Sequence, residues 1–388
     1  MRTDQPTLPG TSPDSASPRT IWEGFHAPRL TQARRLAGLT KREVAAGIGV
    51  SAAALGQYEA GTNRPRPELL PRLAEVLDVP IQFFLAGRPM GKLDVSMAHF
   101  RALRSTSGAQ RERALGFVEQ LWELTHALEK RVQLPLVNLP GFTGGEVHPG
   151  VDLPADPVGA ARELRRFWNL GDGPVKHLAR RLESHGLVVV APSEADHAAA
   201  KVDAFSSAGL LRPMVVLTPN RADDVLRYRF SAAHELGHLV LHSSSTGDSR
   251  QEREADAFAA EFLTPQKSLR PLLPERIDLS RLAVLSQTWG VSVSSLIYRY
   301  REFGLVSDAT ISRAYQRLRA LSAQPGFAPE PVRGYPGEQP VMLQRAFELA
   351  ASDTGLTIRE LAQELAWKPS RVRELLGMPD TRPVLRLL

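Results

Sequence analysis

Apolar positions recur at helical spacing over most of this chain and at strand spacing in only two short places. Residues 29–84 divide into short helical patterns: Leu30–Ala37, Lys41–Ala46 behind the cap residue Thr40, and Ala52–Gly61 behind Ser51. Gly47-Ile48-Gly49-Val50 between them supplies a tight turn, because glycine takes positive φ without steric cost. Pro67–Leu77 and Ile81–Phe84 complete a predicted five-helix unit. The Gly- and Pro-bearing segment Leu85–Lys92 reads as a linker. Residues 106–133 keep Ala114, Phe117, Leu121, Leu124 and Leu128 on one face, which predicts a long amphipathic helix.

The next stretch is too rich in Pro and Gly for a helix and is expected to be an exposed loop as far as residue 156. From Pro157 the pattern turns mixed. Helices are predicted through Ala160, Leu164 and Trp168 and again up to His185, and strands at Leu187–Ala191 and Met214–Leu217, where β-branched runs lie between turn residues. Beyond Pro274 the pattern is helical again, broken by Pro325–Pro340. The expected fold class is mainly α with a small mixed α+β domain. The expected order is a polar tail at 1–20 that lacks large apolar groups and reads as disordered, a helical module at 21–90, a helical connector and loop at 91–156, an α+β core at 157–275, and a helical region at 276–388.

Composition narrows the chemistry. The chain has no cysteine, so disulfides, thiol catalysis, iron–sulfur clusters and zinc sites with Cys ligands are excluded, and any metal must be held by His and carboxylates. No apolar run approaches the ~18 residues of a membrane helix, and residues 1–20 lack the apolar core of a secretory signal. A soluble cytoplasmic protein with no membrane partner is expected. The net charge of +6 is compatible with nucleic acid without establishing it. It is spread thinly: residues 1–90 hold 11 Lys+Arg and 8 Asp+Glu, and residues 277–388 hold 14 and 11, a surplus of three in each.

The most specific motif is His234-Glu235-Leu236-Gly237-His238. On a helix, residues at i and i+4 share a face, so both imidazoles reach one ion, and Glu235 is placed to take a proton from water that the ion has acidified. With 10 His in 388 residues, chance yields this pattern roughly 0.03 times per chain. Gly237 and Ala233 keep the helix surface small where another element approaches. A catalytic site needs a third ligand and an open position. Residues 251–263 form a helical pattern with Phe258, Ala259 and Phe262 on one face. Glu254 lies one turn before Phe258 and is the expected third ligand, with Glu261 in reserve and Glu252 projecting into solvent. His242 follows His238 by one turn, but three His in line span ~12 Å. It is therefore expected in a structural or substrate-side role.

At this point a resemblance becomes specific. HELGHLVLH followed by EREADAFAAEFLTP resembles the ImmA/IrrE family of metallopeptidases, with the likeness reaching back through Asp203-Ala-Phe-Ser206 and the strand before Pro219-Asn220. It implies a gluzincin-like zinc site with His234, His238 and Glu254 as ligands and Glu235 as general base. It also implies a protein substrate, commonly a helix-turn-helix repressor. Asp256 stands where the family has Asn or Asp, either beside a ligand His or as a plain surface aspartate. Zinc is the default for two His and a carboxylate, with manganese or iron as alternatives.

The stretch LTKREVAAGIGVSAAALGQYEAGTNRPRPELLPRLAEVLDVP resembles the XRE (lambda repressor/Cro-like) helix-turn-helix family. The resemblance implies binding of double-stranded DNA through residues 29–84, with the second helix of the pair in the major groove. Gln57 is the residue suited to a bidentate contact to adenine, and Ala52 and Ala53 to thymine methyls. Phosphate contacts are expected from Arg34, Arg35, Lys41, Arg42, Arg64 and Arg66. The alternative use of the module is protein docking. Leu356–Gly377 repeats helix-turn-helix spacing with Lys368, Arg371 and Arg373 on its second helix, and is expected to be a packing or homodimerisation unit, with a second DNA reader as the alternative. The combined expectation is a regulator that binds DNA and cuts a repressor or antitoxin protein. The alternative is a transcription factor whose metallopeptidase fold serves as a sensor or docking domain.

Overall fold

The computed structural model describes residues 17–91, 98–100, 108–142, 152–191, 204–207, 212–217, 224–242, 248–322, 324 and 327–378. The N-terminal module holds α1 (Pro18–Glu23), α2 (Ala27–Ala37), α3 (Lys41–Ile48), α4 (Ala52–Ala60), α5 (Leu69–Val76) and a 3-10 turn at Ile81–Phe84. Its punctuation follows from local chemistry. Thr40 and Glu43 form a reciprocal capping box on α3, Ser51 caps α4, and Gly38, Gly49 and Gly61 end their helices in the left-handed conformation. The tail expected at 1–20 is cut short, because Ser17 caps α1 and Pro18 opens it, with Ile21 fully buried in the module. Residues 1–16 lie outside the described residues.

Strand β1 (Ala98–Phe100) and the long helix α6 (Gly108–Glu129) follow. The core contains α7 (Pro157–Phe167), α8 (Leu178–Ser184), β2 (Val188–Val190), β3 (Ala204–Ser207), β4 (Met214–Leu217), α9 (Val225–Leu241) and α10 (Ser249–Leu263). It is closed by α11 (Gln266–Leu269), α12 (Leu279–Trp289), α13 (Val293–Glu302) and α14 (Asp308–Leu321). The last helices are α15 (Met342–Thr354), α16 (Ile358–Leu365) and α17 (Pro369–Leu375). The four-stranded sheet runs β1-β3-β4-β2, with β2 parallel to β4 and β3 antiparallel to both of its neighbours. Pattern reading finds β2 and β4 but not β1 or β3, which lack a β-branched run.

The sheet divides two hydrophobic cores, and strand alternation does the dividing. Val188, Val190, Met214 and Val216 join the core built from the N-terminal module, α6 and the helices α15 to α17. Val189, Val215 and Leu217 join the other core, with α7 to α10 and α12 to α14. Residues 276–388 are therefore not one unit. Leu282, Trp289 and Ile311 complete the second core, whereas Leu343, Phe347, Leu361 and Val372 pack with the N-terminal module.

Three connections are packed, among them the expected linker and the expected exposed loop. In the linker, the Arg88 guanidinium donates to the carbonyls of Phe83 and Leu365 and lies 5.0 Å from the centroid of the Phe83 ring. In the loop after α6, Leu134 and Leu139 are buried and Asn138 accepts a bond from Trp168 Nε1 at 2.8 Å, while residues 143–151 lie outside the described residues. In the stretch 325–340, buried Glu338 pairs with buried Arg229 of α9 and accepts from the Leu178 N–H at 3.1 Å.

Candidate metal centre

Helix α9 starts at Asp224, whose carboxylate accepts from the Leu226 and Arg227 amides, and it runs unbroken through the motif. Helix α10 crosses it at Gly237, where an added Cβ would meet the Phe258 ring at 3.1 Å and the Ala255 Cα at 3.2 Å. Glycine there lets the two helices touch, and the contact brings the acidic start of α10 over the two imidazoles. His234 and His238 are buried with their Nε2 atoms 3.0 Å apart. The Glu252 carboxylate spans them, Oε2 at 3.5 Å from His234 Nε2 and Oε1 at 3.5 Å from His238 Nε2. Ligand atoms of these three residues all lie within 4.8 Å of one another. Zinc–nitrogen bonds of 2.0–2.1 Å place tetrahedral ligands ~3.4 Å apart, so this donor set has the spacing that such an ion requires. Burial raises the Glu252 carboxyl, but hydrogen bonds from His234 and His238 outweigh it and bring the group down to about 2, so it is ionised as a ligand must be.

Glu252, not Glu254, is thus the carboxylate beside the imidazoles, and the expected third ligand is corrected. At ~100° per residue, Glu252 and Glu254 flank the apolar face of Ala255, Phe258 and Phe262 on opposite borders. The border carrying Glu252 faces His234 and His238 on α9. Glu254 instead accepts from His242 Nε2 at 3.0 Å and from Arg250 at 2.7 Å. Its bond from Arg250, then that from His242, lower its pKa. Glu261 is buried but holds Arg162 at 2.8 Å and Arg299 at 2.6 Å, away from the site.

Groups around the centre fix its orientation. Asp256 Oδ1 lies 2.7 Å from His234 Nδ1, and His242 Nδ1 lies 3.0 Å from His238 Nδ1. Each imidazole therefore has its Nδ1 engaged and its Nε2 turned to the ion position, the arrangement that sets ring tautomer and ligand basicity. Burial, ahead of the opposing bond to Glu254, keeps the His242 pKa below the usual imidazole value. Glu235 is fully buried, and its Oε2 accepts a 2.8 Å bond from Ser206 Oγ on β3. Ser206 lies within the stretch that resembles the family, but a serine in a short strand has no signature that marks it as a partner of Glu235. Glu252 did leave a signal: it stands four residues before Asp256, so the two acids share a face as the two histidines do.

Residues 182–301 match the model of the IrrE N-terminal-like domain, a metallopeptidase family, and residues 30–84 match a helix-turn-helix model. The chain joins an XRE-like helix-turn-helix domain to an ImmA/IrrE-type peptidase domain. Comparison with the curated proteins found no match. The peptidase match takes in α12 and α13, which the expected boundary at 275 had left outside.

The helix-turn-helix domain supports DNA binding, and its α4 lies open to solvent at Ala52, Ala53 and Gln57. Gln57 Oε1 accepts from Asn63 Nδ2 at 2.8 Å. Arg42 and Arg66 are exposed. Lys41 is half exposed and 3.3 Å from Glu59, and exposed Arg64 stacks over Trp22 with its centre 5.6 Å from the ring. Arg34 and Arg35 depart from the expected phosphate role. Arg34 is buried against Glu59 at 2.5 Å, and Arg35 bonds Glu112 at 2.8 Å and Glu119 at 3.2 Å on α6. Their charge is neutralised within the chain, where it fastens the domain to α6.

Proposed function

We propose that this chain is a cytoplasmic DNA-binding regulator and metal-dependent endopeptidase whose substrate is a repressor or antitoxin protein. The observation that carries the reading is the convergence of His234 Nε2, His238 Nε2 and the Glu252 carboxylate, on the same helix turn that carries the buried Glu235. A divalent ion held by His234, His238 and Glu252 would supply a Lewis acid that polarises a peptide carbonyl and acidifies water. Zinc is the default for this donor set, with manganese and iron accepting the same donors.

Glu235 accepts the proton of the attacking water and delivers it to the departing amine nitrogen. Ser206 holds Glu235 in one rotamer for both transfers, and Asp256 and His242 keep the two imidazoles aimed. The helix-turn-helix domain would bring this chemistry to an operator, and cleavage of a bound repressor would relieve repression there. The test is incubation of the metal-loaded protein with a candidate helix-turn-helix repressor. Discrete fragments formed by the wild type and not by Glu235→Gln are expected. No fragments at any metal level, or equal cleavage by Glu235→Gln, would sink the enzymatic reading.

A further inference from the structure

Helices α2, α5, α6 and α17, with the turns beside them, enclose a cavity of about 1020 Å³ to which neither α9 nor α10 contributes a described side chain. Ligand sites of this size are walled mainly by apolar side chains and carry a few placed polar groups. Leu36, Leu39, Val76, Val79 and Met378 stand on its walls, each only half-buried and so able to lose more water against a ligand. The described polar lining is unbalanced in charge, with Arg113, Lys368, Arg371 and Arg373 set against Asp78 and Glu374. Lys368 pairs with Asp78, and Arg371 donates to Glu374 at 2.8 Å and to Gln120 at 2.9 Å. Half-buried Arg373 has no carboxylate partner among the described residues.

Trp367 supplies a second, independent observation. It lines the same cavity at 4% exposure, and its Nε1–H has no acceptor among the described residues. An indole N–H can only donate, and a buried donor left without an acceptor costs free energy. The cation and the donor therefore ask for the same partner, one that is rich in acceptors and negatively charged. We propose that this cavity binds a small amphipathic organic anion. Its apolar body lies on the five aliphatic side chains, its charged head is matched by Arg373, and an acceptor oxygen takes the Trp367 N–H. The walls come from the helix-turn-helix module, from α6 and from the C-terminal helices, so one ligand touches all three. The site stands apart from the metal centre and does not depend on the peptidase reading.

The probe is anilinonaphthalene sulfonate, an aromatic body with one anionic head, titrated into the full chain and followed by its fluorescence. Saturation at one molecule per chain is expected, with displacement by octanoate and not by octanol, which has the same alkyl chain without the charge. Equal displacement by both would overturn the inference. Arg373→Gln is expected to weaken binding about tenfold, and Ser370→Glu, which puts a carboxylate at an exposed lining position, by at least as much. Neither substitution breaks an ion pair within the described residues. Trp367→Phe keeps a buried ring and removes the N–H, and is expected to weaken binding several-fold. Arg317→Gln, at an exposed position of α14 outside the cavity, should change nothing. Unchanged affinity in any of the first three variants, or an equal loss in Arg317→Gln, would overturn the inference as well.

Discussion

Ser206 Oγ donates a 2.8 Å hydrogen bond to Glu235 Oε2, joining a central strand to the helix that carries His234 and His238. Both residues are fully buried, so the bond is not shared with bulk water. Its function is to fix the carboxylate, and a hydrogen bond to a charged group is worth ~1.5–3 kcal/mol. Ser206→Ala should therefore lower cleavage by about tenfold or more while leaving metal content unchanged. A variant that cleaves like the wild type, or one that loses its metal, would show that the serine has another role.

A second relationship ties the DNA-binding domain to the rest of the chain. Arg29 of α2 and Glu123 of α6 are both buried and paired, and Arg29 Nη2 also donates to the Pro89 carbonyl at 2.7 Å. Removing one member of a buried pair leaves the other charge uncompensated, at a cost of ~3–5 kcal/mol. Glu123→Ala should thus lower stability by about that amount in urea, with the two domains unfolding together. A loss below about 1 kcal/mol would mean that the junction is not held by this pair.

Glu119 lies in the same junction. Burial raises its carboxyl to about 7 against the pull of Arg35. A carboxyl raised on folding contributes stability that is fully present below its unfolded value and is lost as pH rises through about 7. Urea midpoints of the wild type should fall between pH 5 and 8, with Glu119 and Glu183, which burial also raises to about 7, both contributing. Glu119→Gln should remove its own share of that fall, worth about 2 kcal/mol, and leave that of Glu183. An undiminished slope in the variant would assign the pH dependence to other groups.

DNA contacts separate by the same logic of neutralised charge. Exposed Arg42 and Arg66 should each contribute about one unit to the salt dependence of DNA binding, so alanine at either reduces the slope by about that much. Arg35→Ala should leave the slope intact and instead weaken the junction with α6, because Glu112 and Glu119 already hold its guanidinium. A reduced slope in Arg35→Ala would return that residue to the DNA surface.

These relationships also mark where the sequence is legible. His234, Glu235 and His238 are readable because one helix turn imposes their spacing, and the caps at Thr40 and Ser51 because capping is local chemistry. Glu252 could not be told from Glu254, since both border the apolar face of α10 and only the crossing at Gly237 decides which border meets α9. Arg34 and Arg35 look like surface cations until α6, about 80 residues on, brings Glu112 and Glu119 against them. Strands β1 and β3 escape pattern reading because pairing across the sheet forms them, not a run of β-branched residues.

The most direct test of the account is metal stoichiometry across four purified chains: wild type, Glu235→Gln, Glu252→Ala and Glu254→Ala. The centre described here predicts about one tightly bound ion per chain in the wild type and Glu235→Gln. Glu252→Ala should lose it, and Glu254→Ala should keep it with affinity weakened about 10- to 100-fold through His242. Full retention by Glu252→Ala together with loss in Glu254→Ala would contradict the account.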